Sequence, residues 1–276
     1  MGFVGAAFGL AFTFGPALGG VLSVQGYRLP ALIATAVTVF DIGVVVAFLK
    51  ESRVVGDQSR SKSSKPVQQT PWKSIVFKST KMIVLLLIRF LFGIAFYMFR
   101  SAFPLFTRDR LGLSAKQTGY TLSYLGLLVA GVQGRGVAKL SKRYKESTLV
   151  TTSAAIFGMS LWLWSQSFTV PILLVTLVPL AASNGIMLAC TSSMFTQSVS
   201  QDDVGSAMGL VSAVDSICKV LSPTIVGYLH QRMGPHSPGQ IGAGVMAIVF
   251  WLCYRLAGPM FKRPSQSSRP DAGKIS

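Results

Sequence analysis

The sequence predicts an all-α polytopic membrane protein of about eight transmembrane helices, and three observations carry that expectation. Hydrophobic residues make up half of the chain and charged ones only 13%, with a mean hydropathy of +0.53, too apolar for a soluble domain of 276 residues. The apolar residues gather into runs of roughly 20, the length that ~30 Å of hydrocarbon requires. The lysines and arginines fall mostly in alternate connections between those runs.

The first run, residues 1–22, contains Gly2, Gly9, Gly15, Pro16, Gly19 and Gly20. Glycines at these intervals let a second helix approach its backbone, and Gly15-Pro16 weakens the helix at one depth. A weakened helix in a bilayer needs protein or a cavity beside the freed backbone groups, which points to a protein with a working interior. Seven further spans are expected at about 30–49, 82–106, 117–138, 148–164, 170–194, 204–229 and 240–257. The fifth of the eight is the shortest.

Charge orients them. Residues 50–81 hold eight Lys or Arg, residues 135–146 five, the stretch after Phe261 four, and residues 195–201 none. These connections share one side of the membrane and hold seventeen basic residues; the other side holds Arg28, Arg108, Arg110, Lys116 and Arg232. The richer side is expected to be cytosolic, so the central linker and the C-terminal tail lie there. The net charge of +17 is thus a topology signal, and its scatter among apolar helices argues against a nucleic-acid surface.

Residues 50–81 form the long polar linker, rich in Ser, Lys and Gln, and read as a tether between two helical bundles. Contact of its basic face with anionic lipid and phosphorylation between Ser59 and Ser64 are the functional alternatives. The first basic residue is Arg28, so the opening run lacks the basic start of a secretory signal peptide. Cys190, Cys218 and Cys253 all fall within spans and read as small packing residues, with no disulfide framework and no metal or cofactor site implied. His230 and His236 lie beside a loop, and no HExxH, GxSxG or P-loop is present, so an enzyme is not expected.

Ionised groups inside spans cost about 2.5 to 3.5 kcal/mol each on insertion scales and need a reason. Asp41 lies mid-span with no basic residue within four positions; it is expected to face the bundle interior, to pair with another helix, or to carry a proton. Asp215 and Lys219 are four apart on one helical face, either lining a solute or proton path or neutralising each other. Arg89 and Arg100 are eleven apart, which returns nearly to the same face; they either line the interior or snorkel to headgroups. Phe96 and Tyr97 read as ordinary packing.

The first and seventh spans also resemble each other. Gly5 and Gly9 precede Gly15-Pro16 and Gly20, while Gly205 and Gly209 precede Ser222-Pro223 and Gly227. The run GFVGAAFGLAFTFGPALGG resembles, in its glycine and Gly-Pro spacing, the fifth-helix antiporter motif of the major facilitator superfamily. The basic stretch 135–145 is similar to that superfamily's loop between helices eight and nine, although the expected acid is missing. Gly205, Gly209, Lys219 and Pro223 resemble the eleventh helix of the tetracycline-efflux-like branch. Lys219 four before the proline, with QTGYTLSY at 117–124, is closest to eukaryotic organic-cation-transporter-like orphan members.

The resemblance implies a partial major facilitator fold: residues 1–49 as the last two helices of the N-terminal bundle, 50–81 as the cytosolic linker, 82–261 as a six-helix C-terminal bundle and 262–276 as a cytosolic tail. The first four helices of a complete member would precede Met1. The implied function is secondary transport of a small organic solute across the lipid bilayer, with proton coupling. The transport-cavity candidates are Asp41, Arg89, Arg100, Asp215 and Lys219; the helix-packing candidates are Gly2, Gly9, Gly15, Pro16, Gly20, Gly205, Gly209 and Pro223. The alternative for this chain is a non-transporting membrane scaffold or regulatory subunit.

Overall fold

The computed structural model describes residues 2–26, 28–48, 80–132, 140, 143–200 and 203–260, without the side chains of 2–10, 12 and 256–260. The linker at 50–79 with Ser59 to Ser64, most of the 135–145 loop, and the 262–276 tail lie outside the described residues, as do the surroundings of Gly2 and Gly9.

Eight α-helices and one 3-10 turn account for the described chain, which contains no strand. They are α1 (Gly2–Leu22), the turn Ser23–Gln25, α2 (Arg28–Phe48), α3 (Thr80–Leu111), α4 (Ala115–Gly131), α5 (Glu146–Ser165), α6 (Val170–Gln197), α7 (Val204–Met233) and α8 (Ser237–Met260). Six of them, α2, α3, α5, α6, α7 and α8, are long and apolar enough to cross a membrane, including the short fifth span. The chain is an integral multi-pass membrane protein.

Local chemistry sets the hairpins. Gly112 adopts φ +65 after α3, and Ser114 and Gln117 form a reciprocal capping box that starts α4. Between α7 and α8, Gly234 at φ +85 lets the chain reverse, while the Ser237 hydroxyl donates to the Leu229 carbonyl at 3.1 Å. Within the spans, the hydroxyls of Thr107, Thr121, Ser160, Thr176, Ser183 and Thr191 donate back to carbonyls three or four residues earlier. That is how these hydroxyls are accommodated in apolar helices.

The core lies where α3, α5 and α8 meet. Phe99, Phe103 and Phe106, about one turn apart on α3, surround the fully buried Trp164 of α5, with ring centroids 4.9, 6.3 and 4.6 Å away. Gly158 and Gly239 allow α5 and α8 to close on each other: a Cβ on Gly239 would stand 2.7 Å from the Ser165 Cβ.

α1 lies along α4, and the contact is a glycine crossing. A Cβ on Gly119 would stand 2.5 Å from the Pro16 carbonyl and 3.1 Å from the Gly20 Cα, while one on Gly20 would stand 3.0 Å from the Ala115 carbonyl. Three other glycines of the expected packing pattern make no such contact. Among the described residues, no heavy atom from beyond their own chain neighbourhood lies within 4 Å of where a Cβ on Gly15, Gly205 or Gly209 would stand, so no close approach is made to them there. The expected breaks are also absent: α1 runs through Pro16 and α7 through Pro223. An apolar surrounding offers the backbone no better hydrogen-bond partner than the helix, so one missing N–H does not end it.

The crossing gives a sharp contrast. Gly119→Val should destabilise the fold by about 1–3 kcal/mol, because the nearest atoms facing the new side chain are all backbone. Gly15→Ala should change stability by about 0.5 kcal/mol or less. Thermal unfolding of both variants in detergent measures the difference; equal losses would remove the crossing from the account.

Candidate transport cavity

A cavity of about 680 Å³ lies between α3, α4, α6 and α7. Its α3 wall carries Arg89, Phe92, Phe96, Tyr97, Phe99 and Arg100, so the eleven-residue spacing does place both arginines on one wall. Leu122, Leu125 and Val129 come from α4, Asn184 and Leu188 from α6, and Asp215, Lys219 and Pro223 from α7. The lining is mostly apolar and aromatic, with a few polar groups converging on it, the make-up of a solute site.

The central interaction joins α3 to α7. The Arg89 Nε donates to Asp215 Oδ1 at 3.0 Å and Nη2 to Oδ2 at 2.6 Å, while Nη1 donates to the Thr191 hydroxyl of α6 at 3.2 Å. Arg89 is only 4% exposed. A planar guanidinium matches a carboxylate at two points, and the low dielectric strengthens both bonds. Thr191 is itself fixed, donating to the Met187 carbonyl at 2.7 Å. Snorkelling of Arg89 is therefore excluded.

Several placements differ from the sequence reading. Asp215 and Lys219 share a face and both line the cavity, yet they do not neutralise each other, because both Asp215 oxygens face Arg89. The Lys219 ammonium instead stands 5.6 Å from the centroid of the Tyr97 ring. Phe96 and Tyr97 are thus cavity wall rather than ordinary packing. Arg100 is exposed and lines the cavity. Asp41 is not part of it: α2 has no buried residue among those described, and Asp41 is exposed on that helix with no described ion-pair partner. Among the described elements α2 packs mainly on α1 and the turn after it, which leaves Asp41 without an interior position there. Cys190, Cys218 and Cys253 are buried, and none of them forms a disulfide.

Sequence reasoning missed Thr191 and Asn184. Both are uncharged, and neither polarity nor spacing separates them from the many back-bonding hydroxyls and small polar residues of the spans. No group of three or more metal-ligating side chains occurs among the described residues.

The fold and cavity define a helical, multi-pass membrane protein with a charged internal site. The family model described as Major Facilitator Superfamily matches residues 1–177 and again 137–274, and the chain belongs to that superfamily. Solute carrier family 22 member 18 of Rattus norvegicus is 30% identical over 263 residues, covering 91% of this chain and 62% of that protein. Tetracycline resistance protein, class B, of Escherichia coli is 23% identical over 244 residues, covering 87% and 59%. The crystal structure of the human organic anion transporter MFSD10 (TETRAN) superposes with a TM-score of 0.68 at 20% identity, covering 92% of this chain and 62% of that one. The chain thus spans about three-fifths of the length of these proteins.

Because Arg89 is buried, removing its partner strands a charge. Asp215→Leu alone should cost about 3 kcal/mol of stability, and Arg89→Met with Asp215→Leu distinctly less than the two single losses combined. A double-mutant cycle by thermal unfolding tests this; strict additivity would show that the two side chains do not act as a pair.

Proposed function

We propose that the protein is a secondary transporter of a small organic anion, coupled to protons and working by alternating access between two helix bundles. The observation that carries the reading is the charged cavity. At about 680 Å³ it has room for a drug-sized solute, and its wall presents Arg89, Arg100 and Lys219 against the single carboxylate of Asp215. The excess of cations favours an anionic solute. The solved neighbour's description as an organic anion transporter and the rat relative's as a solute carrier support the same class.

In this reading α1 and α2 belong to the N-terminal bundle and α3 to α8 form the C-terminal one, joined by a cytosolic linker, with the tail also cytosolic. The bundles rock across the Gly20–Gly119 crossing. Asp215 is the proton site. A proton on its carboxylate cancels the charge that holds Arg89, so loading loosens the seam between α3 and α7 and favours the change of access. Asp41, outside the cavity, has no part in the cycle. The residues act by charge and shape, without an enzymatic reaction.

Uptake of a labelled organic anion into proteoliposomes with an imposed pH gradient tests the reading. Uptake is expected to rise on acidification of the donor side, to fall to background in Arg89→Leu and Asp215→Asn, and to be unchanged in Asp41→Asn. Gradient-independent uptake would overturn the proton coupling. Complete absence of uptake would overturn transport in favour of a membrane scaffold.

A further inference from the structure

Two features of the cavity narrow its ligand further. The first is Asn184 of α6, which lines the cavity at 6% exposure and whose amide hydrogen-bonds no described residue. A side chain with both a donor and an acceptor on the cavity wall, and no described protein partner for either, is a ready partner for a ligand. The second is the division of charge. The Arg89 guanidinium is occupied by Asp215 and Thr191, whereas no carboxylate among the described residues pairs with Lys219. Its ammonium stands against the face of Tyr97, and Phe96 meets that ring edge-on at 5.2 Å and stacks with Phe92 at 6.2 Å.

Resting on the anion-transport reading above, we propose that the ligand is an aromatic carboxylate with a second, uncharged hydrogen-bonding substituent. Its carboxylate pairs with Lys219, its ring lies along the Phe92–Phe96–Tyr97 wall, and its substituent bonds the Asn184 amide. The ammonium then sits between the Tyr97 π-face and the carboxylate, favourable to both. An aliphatic anion would lose the ring contacts, and an aromatic cation would meet Lys219 and Arg100 with like charge. Arg89 stays with Asp215 and does not bind the carboxylate in this state.

Equilibrium dialysis with the purified full chain in lipid nanodiscs tests the proposal, using 6-hydroxy-2-naphthoate, 2-naphthoate, cyclohexanecarboxylate and 2-naphthylmethylammonium as probes. The hydroxynaphthoate should bind most tightly, about fivefold better than naphthoate, with the cation weakest. Lys219→Gln should weaken naphthoate by about ten- to a hundredfold, and Lys219→Arg should restore most of the affinity. Asn184→Leu should remove the preference for the hydroxylated probe while leaving naphthoate binding in place. Because the anion and cation probes are compared on the unaltered protein, the result does not depend on a variant folding. Equal or tighter binding of the cation, an unchanged Kd in a folded Lys219→Gln, or a preserved hydroxyl preference in Asn184→Leu would overturn it. Binding needs no gradient, so a failure of uptake leaves this outcome intact, and a failure here leaves transport intact.

Discussion

Arg89 and Asp215 hold three helices to one another through a single guanidinium, and the cavity takes its shape from that clamp. Each ion would be costly in an apolar span by itself. Together they form two short charge-assisted bonds, and the third contact, to Thr191, draws in α6. A buried pair of this kind is weak evidence of net stability but strong evidence of geometry, because each ion requires the other at a fixed place. The α3–α7 seam is therefore defined at the depth of the pair, and the cavity opens beside it.

The same helix builds both the rigid and the receptive parts of the molecule. On α3, Phe99, Phe103 and Phe106 meet Trp164 and fix the core, while Arg89, Phe96, Tyr97 and Arg100 present the cavity wall. Phe99 contributes to both. The helix continues through Pro104 for 32 residues, longer than a bilayer core requires, so one continuous rod carries the aromatic core and the charged wall. Rigid support of this kind fixes the distance between the aromatic core and the cavity wall.

Close backbone approach falls at a few glycines among the described residues. Gly20 and Gly119 let α1 meet α4, and Gly158 and Gly239 let α5 meet α8. Gly15, Gly205 and Gly209 have the same side chain and similar spacing but meet no other described element. A glycine pattern thus shows where a backbone is able to be approached. Only the partner's position decides where it is.

The sequence by itself determined the class of fold, the number and approximate limits of the helices, and the charged residues from which the cavity is built. Each of these follows from local chemistry: hydrocarbon thickness sets run length, and the cost of embedded charge marks Arg89, Asp215 and Lys219. Tertiary structure decided the pairings. Asp215 takes Arg89, 126 positions away, instead of Lys219 four positions away, because a planar fork engages both oxygens of the carboxylate. Asp41, equally conspicuous in the sequence, lies outside the cavity because α2 packs mainly on α1 and its turn among the described elements, and Asn184 lines it from α6. Helical period tells which residues share a face. Which face meets which depends on packing between distant segments, and no local pattern encodes that.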